Sequence, residues 1–306
     1  MKGVIWLNNL TLTDIPKPPI KQGEVLGKVV GASITHLEKL IALGAIPTDV
    51  GRVLGSVGVI KAIDVAPDLN SRLIGRHFLL LPRLNYVGGI NFNGILAEYS
   101  SIPLKLLTPI SDYYALKPET LIYAELSFIY EITNYVKNKE VLVVGCGPTS
   151  YIIVKHIKDL CNVCVACVHN QQIRSKIAEL GVYIANYDNI NDYKYDIVIV
   201  LTMNDYQLIN ALKAVRNNGR IIIPPNFPEA LLGILGIDAD VGVVNLIFPK
   251  HVVNEGIFEV LERDFTDLKN YVNFTNNFEE ALSSMFHFWR TVIYGKSEDE
   301  LPSKVG

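Results

Sequence analysis

One segment limits what this chain can fold into more than any other: Glu140-Val141-Leu142-Val143-Val144 running into Gly145-Cys146-Gly147-Pro148-Thr149-Ser150. The aliphatic run reads as a buried strand and the glycines as a tight turn. Tyr151–Leu160, with Lys155 and Lys158 on its polar face, reads as an amphipathic helix. The alternation continues downstream. Strands are expected over Val163–Val168, from Val182, over Asp196–Leu201 and over Gly219–Pro224, with helices over Gln171–Leu180 and Tyr206–Val215. A buried helix is expected ahead of them, over Glu119–Val136. Strands that alternate with helices of about 10–15 residues need crossover connections and therefore a parallel sheet. The expectation is a doubly wound Rossmann-type α/β domain over residues 118–262.

The remainder has a different rhythm. Short strand-like runs at Gly3–Leu7, Glu24–Val30, Val57–Ile63 and His77–Leu81 are broken by Gly, Pro and Asn, with one short helix at Thr35–Leu43. This is a barrel-like β pattern. The tail adds a helix over Phe278–Trp289 and a last strand at Thr291–Tyr294.

Composition excludes several classes of function. Of 306 residues, 49% are apolar and 19% charged, enough apolar material for sizeable cores and too much for a disordered chain. Twenty-eight basic against 31 acidic residues leave a net charge of −3, which gives no electrostatic footprint for nucleic acid or an anionic membrane. No apolar run approaches the roughly 18 residues of a membrane span, and the apolar part of MKGVIWLNN is too short for a signal peptide. A soluble cytoplasmic protein is expected. Cys161, Cys164 and Cys167 are spaced like metal ligands, but they fall in a run that reads as a strand. Alternation then turns Cys164 away from the other two, so they read as small core side chains rather than as ligands.

The glycine turn has a physical reading. In a dinucleotide site the first glycine makes the turn, the second admits the pyrophosphate to the backbone, and the helix start offers unpaired N–H groups. Gly145 and Gly147 hold the first two positions, Pro148 and Thr149 open the helix, and Ser150 stands in the third glycine position. The alternative is a Rossmann-type domain that no longer binds cofactor. NAD sites carry an acidic residue for the ribose about 20 positions on. Here the next strand ends in Val168-His169-Asn170, with Arg174 a turn later and no carboxylate. His169 and Arg174 suit the 2′-phosphate of NADP better, unless they are only solvated residues at a helix start.

Together these segments resemble the medium-chain dehydrogenase/reductase family, which includes zinc alcohol dehydrogenases and quinone oxidoreductases. The likeness rests on residues 2–29, on Gly51-Arg52-Val53-Leu54-Gly55 with Val57-Gly58-Val59-Ile60, and on Asn93–Tyr99. It extends through VLVVGCGPTS, IRSKIAELGV and NNFEEALSSMFHF. It implies a GroES-like β-barrel catalytic domain built from residues 1–117 and 263–306 around the inserted Rossmann domain. It also places the family's metal positions. The zinc-binding Cys falls on Thr35, the Asp three residues later on Glu38, the metal-binding His on Ser56, and a third ligand on Glu125. Zinc prefers thiolate and imidazole, and Leu84–Phe92 lacks the cysteines of the structural zinc lobe. Both zinc sites are therefore expected to be lost.

Without zinc, a hydrogen-bond donor must stabilise the developing alkoxide. The candidates are Thr35, Ser56 and His36, with Glu38 or Glu125 tuning a proton relay. His36, titrating near neutrality, could protonate an enolate, or could be an exposed histidine opening a short helix. Two functions follow from the resemblance. One is a zinc-independent NAD(P)H-dependent oxidoreductase, favouring NADP, that acts on a small carbonyl, enone or quinone. The other is a catalytically silent paralogue kept as a binding or scaffold protein. The resemblance also implies a homodimer through a Rossmann edge strand, for which Val241–Phe248 is the candidate.

Overall fold

The computed structural model describes residues 1–168, 170–190, 194–202, 204–225 and 244–295. They divide into two compact units, one of residues 1–82, 86–125 and the segment from 267 on, the other of residues 83–85 and 126–266.

The first unit is dominated by antiparallel sheet. Strands β1 (Lys2–Trp6) and β2 (Leu10–Asp14) pair with each other. They are followed by β3 (Glu24–Ile34), helix α1 (His36–Ala42), β4 (Val57–Val65), β5 (His77–Leu80), β6 (Tyr99–Pro103) and β7 (Leu107–Ile110). Helices α2 (Asp112–Ala115) and α3 (Thr120–Leu126) come next. The expected helix at 119–136 is two helices, because Tyr130 and Glu131 donate to the carbonyls of Ser127 and Phe128, three residues back, and interrupt the α-helical ladder.

The second unit holds α4 (Ile129–Val136), β8 (Glu140–Val144), α5 (Pro148–Ile157), β9 (Asn162–Ala166), α6 (Gln171–Glu179), β10 (Tyr183–Ala185), β11 (Tyr195–Val200), α7 (Asp205–Ala214), β12 (Val215–Ile222), β13 (Asn245–Ile247) and α8 (Glu255–Phe265). Its six described strands are all parallel, in the order β10-β9-β8-β11-β12-β13. Strand β8 is buried over Val141–Val144, between β9 and β11. Among the described residues β13 is an edge; residues 241–243 of the expected edge segment lie outside them. Asparagine side chains cap three of these helices: Asn170 accepts from Ile173 N–H at 3.1 Å, Asn204 from Gln207 at 3.1 Å and Asn254 from Ile257 at 2.9 Å. Each such cap stabilises its helix by about 1 kcal/mol.

The chain then returns to the first unit as β14 (Val272–Thr275), α9 (Phe278–Ser284) and β15 (Arg290–Tyr294). Strand β15 pairs antiparallel with the end of β3, Thr291 opposite Ile34. The sheet runs β14-β15-β3-β4-β5-β7, with β6 paired on β3. Helix α9 is shorter than the expected 278–289, and the hydroxyls of Ser283 and Ser284 bond back to the carbonyl of Glu280 at 3.0 and 2.8 Å. No helix among the described residues is long and apolar enough to cross a membrane.

The cysteines require a correction. Cys164 is a buried free thiol on β9, as expected, and burial pushes its pKa up. Cys146 and Cys167 are instead joined as a disulfide. Parallel register brings them together: Val144 is paired with Ala166, and the two cysteines lie just beyond these strand ends with Cα atoms 4.6 Å apart.

Candidate active site

The glycine turn stands at the carboxyl end of β8. Gly145 has φ +138°, a conformation L side chains avoid, and a Cβ there would lie 3.1 Å from the Leu201 Cβ. Gly147 is the N-cap of α5, and no described residue lies within 4 Å of where its Cβ would be, so the described residues leave the space above the turn open. Pro148 occupies the first helical position, where a missing N–H costs nothing. Thr149 is half-buried, and Ser150 is buried with its hydroxyl 3.4 Å from the Gly147 N–H. A serine is therefore accommodated where the family pattern has its third glycine. A glycine turn with open space above it and a helix start behind it fits a dinucleotide pyrophosphate.

Arg174 projects from α6 back to the strand end. Its Nη1 donates to the Cys167 carbonyl at 2.9 Å and to Asn186 Oδ1 at 3.3 Å. It also lines a shallow hollow of about 360 Å³ with Gln171, Ser175, Tyr183 and neighbours. His169 lies outside the described residues.

In the first unit, Thr35, Glu38 and Ser56 come together in a closed network. Thr35 caps α1 and accepts from Leu37 N–H at 3.2 Å. Glu38, with no exposed surface, accepts from four donors. Its Oε2 takes the Thr35 N–H at 2.7 Å and hydroxyl at 2.6 Å; its Oε1 takes the Ser56 N–H and hydroxyl, both at 2.9 Å. Four donors fill the lone pairs of a carboxylate. Gly55, at φ +105° and with no room for a Cβ beside the Leu96 N–H, delivers Ser56 to this position. The geometry corrects one expectation: Thr35 and Ser56 have one hydroxyl proton each, and both protons are committed to Glu38.

Glu125 is committed as well. Its two oxygens take Nε (2.8 Å) and Nη2 of Arg290 in a buried bidentate ion pair. The Arg290 guanidinium also lies 4.5 Å from the centre of the Trp289 ring and donates to the Trp289 carbonyl at 3.0 Å. Lys39, buried on α1, donates to the carbonyls of Phe288 and Trp289 (3.1 Å to the latter). Loss of solvation and then the Arg290 charge lower its pKa to about 8. Lys39 and Arg290 are the polar residues that sequence reasoning missed; their partners lie about 165 to 250 residues away.

His36 keeps an open surface, and no described residue hydrogen-bonds its ring. Loss of solvation first, then the cations Arg290 and Lys39, lower its pKa to about 4. The expectation of titration near neutrality is overturned: at pH 7 the imidazole is neutral, with one N–H to donate. Among the described residues no three His, Cys, Asp or Glu side chains are grouped to hold a metal. The hydroxyls and carboxylates of Thr35, Glu38, Ser56 and Glu125 are engaged with one another or with Arg290, so this donor set does not fit zinc.

No family model matches the sequence. Nor does any curated protein match it significantly. Solved structures do match along nearly the whole chain. The short chain alcohol dehydrogenase of E. coli CFT073, complexed with NADH, is 20% identical over 96% of this chain and 99% of its own, with a TM-score of 0.66. The 2R,3R-butanediol dehydrogenase of Bacillus subtilis is 15% identical over 96% and 99%, with a TM-score of 0.65. The glucose dehydrogenase of Haloferax mediterranei, in complex with NADP, Zn and gluconolactone, is 15% identical over 97% and 100%, with a TM-score of 0.67. This chain has the fold of the alcohol, butanediol and glucose dehydrogenases.

Proposed function

We propose that the protein is a zinc-independent NAD(P)H-dependent oxidoreductase acting on a small carbonyl, enone or quinone. The observation that carries the reading is the intact turn at the end of β8, with Gly145 at positive φ and no described residue within 4 Å of a Cβ at Gly147, the start of α5. The similar folds include proteins complexed with NADH or NADP. We infer further that the antiparallel strands of the first unit form the GroES-like barrel, with β3 pairing β4, β6 and β15 as its central strand.

When bound, the nicotinamide supplies hydride. The chain's own part is to hold the pyrophosphate on the backbone of Gly145–Thr149 and to polarise the substrate oxygen. His36 is the donor we assign to that oxygen, as a neutral hydrogen-bond donor rather than a proton source. The absence of a carboxylate at Val168–Asn170, with Arg174 one helical turn on, supports NADPH over NADH. Exposed Leu246 on the edge strand β13 supports a homodimer; elution at monomer mass in light scattering would refute it.

Titrating NADPH and NADH while following the melting temperature tests the cofactor reading. A rise with NADPH is expected, and no response to either at millimolar levels overturns it. A catalytically silent paralogue is the second reading. The closed Thr35–Glu38–Ser56 network favours it, because it spends both hydroxyl protons. Turnover of any carbonyl with NADPH that falls on His36→Ala would exclude it.

A further inference from the structure

We propose that Cys146 and Cys167 form a reversible redox site whose state sets the affinity of the glycine turn for dinucleotide. Cys146 lies between Gly145 and Gly147, and Cys167 follows the end of β9, so their bond ties the turn to the neighbouring strand. Cys167 has no exposed surface, and no described residue lies within 4 Å of a Cβ placed at Gly147 with the bond in place. The bond therefore holds the turn without blocking it, and reduction frees a loop that the dinucleotide must then order at its own cost. Arg174 reaches the same point, donating to the Cys167 carbonyl at 2.9 Å, so the tie also fixes the anchor of that side chain.

The two sulfurs are unequal. Cys146 is half-buried and Cys167 fully buried, which makes Cys146 the entry sulfur and Cys167 the resolving one. The oxidant is a small disulfide of the glutathione class. The Cys146 thiolate attacks one of its sulfurs, forming a mixed disulfide and releasing one thiol after proton uptake. The Cys167 thiolate then attacks the Cys146 sulfur and displaces the second thiol. The pair loses two electrons and two protons, and both end on the two small thiols. A dithiol reductant reverses the exchange.

Two readouts on the full chain test the site separately. Alkylation in denaturant, after treatment with oxidised glutathione, should modify two cysteines, Cys161 and Cys164; prior reduction should raise the count to four. Four modified cysteines after oxidation would overturn the redox site. NADPH titration should give about three- to tenfold weaker binding to the reduced protein, the scale expected for ordering one loop. Cys146→Ser and Cys167→Ser should bind like the reduced protein under both conditions. Equal NADPH affinity in the two verified redox states would overturn the coupling. This coupling rests on the dinucleotide reading: no NADPH binding in either state refutes both, while the thiol count still judges the bond alone.

Discussion

Replacing Glu38 by Gln probes the buried network that Glu38 forms with Thr35 and Ser56. The carboxylate accepts four hydrogen bonds at 2.6–2.9 Å with no exposed surface. A glutamine keeps one oxygen and turns the other into a donor facing a backbone N–H and a hydroxyl. The hydroxyl can rotate and accept, but the backbone N–H cannot. One buried donor is then left without an acceptor, at about 1–3 kcal/mol, and the remaining bonds lose their charge assistance, so the sum is about 2–4 kcal/mol. At about 2–4 °C per kcal/mol for a unit of this size, the melting temperature should fall by about 4–16 °C. Differential scanning calorimetry reads the shift. A double-mutant cycle with Ser56→Ala should show coupling above about 0.5 kcal/mol, because the two residues share the bonds. A melting temperature within a degree of wild type, or additive effects, would refute the argument that the network is a stabilising unit.

Further outcomes follow from other contacts. Arg290→Met alone should destabilise by about 3–5 kcal/mol in denaturant titrations, because it strands the buried Glu125 carboxylate; pairing it with Glu125→Leu should restore most of the loss. Gly145→Ala should abolish NADPH binding in a fluorescence titration and cost about 1–3 kcal/mol of stability, since its φ of +138° suits glycine alone. His36 has its folded pKa lowered from 6.5 to about 4, so between those values the unfolded chain binds the extra proton. Stability should therefore fall as pH drops from 6.5 to 4, and His36→Gln should flatten that slope. Lys39, lowered from 10.5 to about 8, gives the same sign at higher pH: stability should rise from pH 8 to 10.5 and Lys39→Met should remove the rise.

What could be read in advance followed the range of the forces involved. Strand β8 was expected over Glu140–Val144 and is found there, because four consecutive buried aliphatic residues leave little freedom of assignment. The turn and α5 were legible for the same local reason. Thr35 and Glu38 were singled out only through the family resemblance, which places the zinc-binding Cys and the Asp three residues later on them; the capping box they form at the start of α1 is a finding of the structure. The resemblance did not reveal that Glu38 would also bind Ser56, a contact made 18 residues away by the turn at Gly55. Nor did it reveal that two hydroxyls expected to face substrate would face a carboxylate. The Glu125–Arg290 pair joins residues 165 apart, and no local pattern marks either partner. The disulfide was missed because Cys167 was read within its own strand. Its partner becomes evident only when the parallel register of β8 and β9 is applied to the residue between the two glycines.

The most direct test of the account is calorimetric titration of the oxidised protein with NADPH and NADH, beside the Gly145→Ala variant. Saturable one-site binding is expected, tighter for NADPH and lost in the variant. Absence of binding of both nucleotides at millimolar concentration, or unchanged binding by Gly145→Ala, would contradict it.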